Sequence, residues 1–70
     1  MNANELKARM VLSGVTAKTL CEKTGINESS FYRKIAGKVE FTQGEIAKIA
    51  QALGMTKDDV FAVFFAAEVS

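Results

Sequence analysis

The hydrophobic positions of this chain recur in short helical bursts, and each burst opens in the same way. An apolar residue is followed by Asn or Thr, three further residues, and a second apolar residue. The five cases are Met1-Asn2 to Leu6, Val15-Thr16 to Leu20, Ile26-Asn27 to Phe31, Phe41-Thr42 to Ile46 and Met55-Thr56 to Val60. The Asn or Thr side chain can accept a hydrogen bond from an unpaired amide of a first helical turn. The flanking apolar residues can close as a hydrophobic staple. Glu5, Glu45 and Asp59 stand three residues after Asn2, Thr42 and Thr56, where an acid answers the cap and suits the positive end of the helix dipole. One such start says little; five predict five short helices.

The stops agree with the starts. Gly14, Gly25, Gly37 and Gly54 each follow a helical run, at the place where a left-handed residue ends it, and proline is absent. Gly44 instead falls in the first turn of the fourth helix, where the Thr42 cap supports it. Apolar residues at helical spacing nominate a core: Leu6 and Met10; Leu20 and Cys21; Phe31 and Ile35; Ile46, Ile49, Ala50 and Leu53; Val60, Phe61 and Phe64, with Val63 as a further candidate. No β-branched alternation predicts a sheet, and the tail after Phe64 can be extended. The expectation is an all-α, compact five-helix domain over residues 1–70.

The second and third helices are joined only by Gly25-Ile26 and the Asn27 cap, the short turn of a helix-turn-helix, here spanning about residues 16–36. The third helix has one narrow apolar edge, Phe31 and Ile35. Ser29, Tyr32, Arg33 and Ala36 fall on the other side, with Glu28 at the N-terminal shoulder. Such a stripe suits the major groove, where base edges offer distinguishable donors and acceptors. Arg33 can donate two hydrogen bonds to guanine, Glu28 can accept from a cytosine amino group, and Ser29 can do either. Tyr32 can pack on a thymine methyl or reach a phosphate. Lys18, Lys34 and Lys38, with first-turn amides, would hold the backbone. On spacing alone, the solvated face of a surface helix is an equal reading.

Composition narrows the field. Seventy residues make one domain with a thin core, burying only about 60% of the unfolded surface, and leave no room for a deep catalytic cleft. The chain has no histidine and a single cysteine, so neither an internal disulfide nor a zinc site is expected. Cys21 reads as a small packing residue rather than a redox switch. No apolar run reaches the roughly 18 residues of a membrane span, and the N-terminus does not read as a signal peptide, so a cytoplasmic setting is expected. Net charge is only +1, but it is uneven. From Thr16 to Lys38, Lys18, Lys23, Arg33, Lys34 and Lys38 oppose Glu22 and Glu28, a net of +3; the remainder nets −2. By itself this fits a nucleic-acid surface or an ordinary solvated one. No nucleophile stands beside a base at a recognisable spacing, and Asp58-Asp59 read as helix-start acids. An enzyme, a cofactor and a small-molecule substrate are therefore not expected.

The segment "TAKTLCEKTGINESSFYRKIAGK" resembles the helix-turn-helix of the phage repressor and Cro-type (XRE) family. The resemblance extends through a leading helix (Asn2–Ser13) and "FTQGEIAKIAQALGM" as a fourth helix, and so covers nearly the whole chain. It implies a lambda repressor-like fold that binds duplex DNA sequence-specifically, usually as a dimer on a palindromic operator, to regulate transcription. Carried onto this sequence, it places base reading at Asn27, Glu28, Ser29, Tyr32 and Arg33. It places phosphate contacts at the start of the second helix (Thr16 or Ala17, of which only Thr16 has a polar side chain), with Lys18, Ser30, Lys34 and Lys38 alongside. This sequence departs from the family at three positions. Cys21 replaces a small alanine. Lys34 occupies a commonly apolar or Trp position, which allows for a slight rotation of the helix. Glu28 brings a negative charge to the DNA side, where it accepts from a cytosine or adenine amino group, restrains Arg33, or stays at the edge.

The last stretch, "DDVFAVFFAAEVS", holds more apolar residues than one helix face needs. Val63 and Phe65 are the surplus, and either a thin core absorbs them or residues 56–70 form a dimer contact. The functional expectation is a small Cro-like regulator of phage or prophage origin, in a bacterial or phage-infected cell, acting as a repressor by occupying an operator. A start at Met1 and a tidy end favour a stand-alone protein. The alternative is a protein-binding module, an antitoxin or adaptor built on the same fold.

Overall fold

A computed structural model describes residues 1–65. The elements are α1 (Ala3–Leu12), α2 (Ala17–Thr24), α3 (Glu28–Ile35), α4 (Gln43–Leu53) and α5 (Lys57–Val60); α5 runs on into one π-helical turn, Phe61–Phe65. Among the described residues there is no strand, and the fold is all-α. Each helix starts at its expected cap. Asn2 accepts from the Glu5 amide, Thr16 from Thr19, Asn27 from Ser29 and Ser30, Thr42 from Glu45 and Thr56 from Asp59. Glu45 and Asp59 return the bond to the Thr42 and Thr56 amides, which closes two reciprocal capping boxes. Glu5 does not; its carboxylate pairs with Arg9 at 3.2 Å instead.

The helix stops are equally local. After α3, the Lys38 amide donates to the Arg33 carbonyl (3.0 Å) and the Gly37 amide to Lys34 (3.1 Å), which satisfies the last carbonyls in the pattern that a left-handed residue closes. Gly25 uses this freedom at φ +74°, and α3 begins three residues after it.

The buried core draws on every part of the chain: Leu6, Met10, Leu20, Cys21, Ile26, Phe31, Ile46, Ile49, Val63 and Phe64. Ile35, Leu53 and Val60 lie half-buried against it. Phe41, in the α3–α4 loop, sets its ring edge-on to both Phe31 (5.9 Å) and Phe64 (5.7 Å) and links the middle of the chain to its end. Thr24 is the one buried polar residue among the described residues; its hydroxyl donates to the Leu20 carbonyl at 2.8 Å, so its burial leaves no unmet bond.

The C-terminal turn departs from expectation. Val63, expected either in the core or as a dimer contact, is fully buried, whereas Phe61, expected in the core, is 62% exposed. Asp59 stands four residues before Val63. Its carboxylate pairs with Arg9 of α1 at 3.1 Å, and Val63, one turn later, follows it inward. The Asn2 amide then donates to the Val63 carbonyl at 2.7 Å. Phe61 and Phe65 remain exposed. Residues 66–70, the rest of the expected dimer tail, lie outside the described residues.

Candidate nucleic-acid interface

The turn between α2 and α3 explains how a small domain can offer a helix. Gly25 ends α2, with its amide donating to the Cys21 carbonyl at 2.8 Å. Ile26 drops into the core, and Asn27 restarts the chain by accepting from the Ser29 amide at 2.9 Å and the Ser30 amide at 3.3 Å. Phe31 is the only residue of α3 that is fully buried. The opposite side is therefore open: Ser29, Tyr32, Arg33 and Ala36 are all exposed, as is Glu28 at the N-terminal shoulder. Tyr32 is 57% exposed yet not adrift, because its ring stands edge-on to Phe31 with centroids 6.0 Å apart.

Of the residues predicted to read bases, Ser29, Tyr32 and Arg33 thus share one open face, and Asn27 and Glu28 stand at its N-terminal end. Asn27 is exposed, but its side-chain oxygen is occupied in capping α3. Among those predicted at phosphates, Thr16, Lys18 and Lys38 are exposed and Ser30 is half-buried. The Thr16 oxygen accepts from the Thr19 amide, and its hydroxyl donates to the Thr19 hydroxyl at 3.1 Å. The earlier amides of α2, at Ala17 and Lys18, have no helical partner by geometry and point out of the N-terminus.

Lys34 requires a correction. It is not a cation free for a phosphate. Its Nζ donates to both carboxylate oxygens of Glu45, at 2.7 and 2.6 Å, and its side chain is 12% exposed. The ammonium also lies 5.9 Å from the Phe41 ring centroid. The place commonly taken by an apolar or Trp residue is filled here by the lysine's apolar stem, with Glu45 neutralising its head. Burial alone would raise the Glu45 carboxyl; the hydrogen bonds from Lys34 and Thr42 and the lysine's charge outweigh it and hold the group below its ordinary range. A sign of this was present in the sequence, since Lys34 falls on the same side of the helix as Phe31.

Lys18, Arg33, Lys38 and Glu28 form no ion pair among the described residues, where the pairs are Arg9 with Glu5, Arg9 with Asp59, and Lys34 with Glu45. Arg33 is therefore not restrained by Glu28. The Cys21 thiol is pushed up by burial and, secondarily, by the charge of Glu28, which keeps it protonated and unreactive. No cluster of His, Cys, Asp or Glu among the described residues can hold a metal ion. No helix there is long and apolar enough to cross a membrane.

Two short helices joined by a tight glycine turn, the second presenting a polar face, define a helix-turn-helix DNA-binding protein. The family model for the Cro/C1-type HTH DNA-binding domain matches residues 5–65, and the chain belongs to that family. Its coarse function is accordingly DNA binding, in a family of regulators rather than enzymes. No curated protein and no solved structure matches the chain.

Proposed function

We infer that the protein is a Cro-like transcriptional regulator of phage or prophage origin, which reads a duplex operator through α3 and represses by occupying it. The observation that carries this reading is the open face of α3. Ser29, Tyr32 and Arg33 stand together on the side away from the buried Phe31. Arg33 donates to a guanine edge, Ser29 and Tyr32 read beside it, and Glu28 accepts from a cytosine or adenine amino group. Asn27 belongs to this set through its amide nitrogen. Lys18, Lys38, Thr16 and Ser30, with the first amides of α2, hold the phosphates.

Phe61 and Phe65, 62% and 57% exposed, support a homodimer. One such module covers little DNA, about 600–1,000 Å² of protein surface, so a second copy would supply affinity and fix the half-site spacing of a palindrome. The same two aromatics, with a net charge of only +1, also favour the reading of a protein-binding antitoxin or adaptor.

Selection of bound duplexes from a random pool separates these readings. Regulation by an operator predicts a single enriched motif, palindromic if a dimer binds, and an affinity that falls steeply with salt. Enrichment of no duplex at low salt, together with a stable hetero-complex, would leave the adaptor reading standing.

A further inference from the structure

We propose that Lys34 is a positioning residue for DNA reading: its ion pair with Glu45 fixes the roll of α3 about its own axis and so aims Ser29, Tyr32 and Arg33. The proposal rests on the DNA-binding reading of α3 given above.

α3 has eight residues, about 12 Å of helix, and a single fully buried anchor, Phe31. Phe31 and the half-buried Ile35 hold α3 along one narrow edge, which constrains its roll less than a wide buried face would. With Phe31 as zero and about 100° per residue, Ile35 lies about 40° to one side and Lys34 about 60° to the other. Tyr32, Ala36, Ser29 and Arg33 occupy roughly 100–200°, so Lys34 sits about 150° from the middle of the reading stripe. A tether on that shoulder resists roll at little cost to the exposed face.

The partner at the far end of the tether is itself held. Glu45 Oε1 accepts from the Thr42 amide at 2.8 Å, and the Glu45 amide donates to Thr42 Oγ1 at 3.1 Å. The Lys34 head therefore grips the capped start of α4 rather than a swinging side chain. Phe41, beneath the ammonium, is wedged between Phe31 and Phe64. Swinging Lys34 out to a phosphate would strand a partly buried carboxylate, a strongly unfavourable exchange. The pair thus serves the geometry of α3 and adds nothing to its contacts with the DNA backbone.

The test compares K34M, K34R and E45Q with the unaltered chain, on the selected duplex and on a scrambled one, over a series of salt concentrations. K34M keeps an apolar stem, and Gln at position 45 still suits a capping box. K34M and E45Q are expected to lose roughly five- to tenfold of the preference for the selected duplex, with an unchanged slope of log affinity against log salt. K34R, which can still pair with Glu45, restores the preference. A slope shallower by about 0.9 with equal weakening on both duplexes makes Lys34 a phosphate contact and overturns the proposal. Full preference in K34M overturns it as well. Tyr32 gives a second readout without DNA, because it is the only tyrosine and the chain has no tryptophan. Its near-ultraviolet dichroism is expected to weaken in K34M and E45Q, with the helical signal intact, and to recover in K34R. An unchanged band sinks the positioning role, whereas failure of the unaltered chain to select any duplex sinks the DNA reading instead.

Discussion

On the proposed reading of α3, base recognition turns on Arg33. It leaves α3 on the side opposite Phe31, is exposed, and has no carboxylate partner among the described residues. Replacing it with alanine is expected to cost about 1–3 kcal/mol on the selected duplex and to relax the preference at one base pair. Titrations against duplexes altered singly at each position measure both effects. Equal weakening on every sequence would reassign Arg33 to a phosphate. Its neighbour Lys34 is as basic and yet does none of this, because one further step of about 100° turns it inward toward Glu45. Arg33 and Lys34 are neighbours in sequence; the helical step turns them to different sides, and Glu45 supplies the partner that holds Lys34 there.

At the scale of elements, the link between α2 and α3 is the most demanding. Gly25 holds φ at +74°, with nothing near the position a Cβ would take, so the cost of a side chain there is backbone strain alone. Gly25→Ala is expected to lower stability by about 1–2 kcal/mol in denaturant unfolding and to weaken DNA binding beyond that loss, since α3 starts from this turn. The starts of α4 and α5 carry a pH dependence. Hydrogen bonds and nearby cations hold Glu45 and Asp59 below their ordinary values of 4.5 and 3.8. A carboxyl whose folded value is lowered stabilises the fold above its ordinary value, and that contribution is lost as the pH falls through the lowered one. The midpoint of thermal unfolding is therefore expected to drop below about pH 4.5 and to drop less in the E45Q/D59N double variant. An identical acid limb in both proteins would show that the two boxes contribute nothing to it.

For the whole molecule, the C-terminal turn decides how the domain closes and what it leaves open. Val63 and Phe64 complete the core, while Phe61 and Phe65 face away from it. Val63→Ala is expected to cost about 1–3 kcal/mol, as a fully buried position should. Phe61→Asp with Phe65→Asp should leave the unfolding midpoint nearly unchanged and lower the sedimenting mass if that face pairs two copies. An unchanged mass removes the dimer, and a lost fold would mean that the aromatics serve the core after all.

What the sequence by itself determined is local. The caps, the staples, the glycine stops and the apolar spacing each act within about five residues, so five helices, the break at Gly25 and the open face of α3 were all legible. Tertiary structure decided what depends on distant partners. Lys34 meets Glu45 across the α3–α4 loop. Arg9 meets Asp59 from the far end of the chain, and Asn2 meets Val63. In "FAVFF" several helix faces are equally apolar, so spacing could not choose among them; packing against the rest of the core did, burying Val63 and Phe64 and leaving Phe61 and Phe65 exposed.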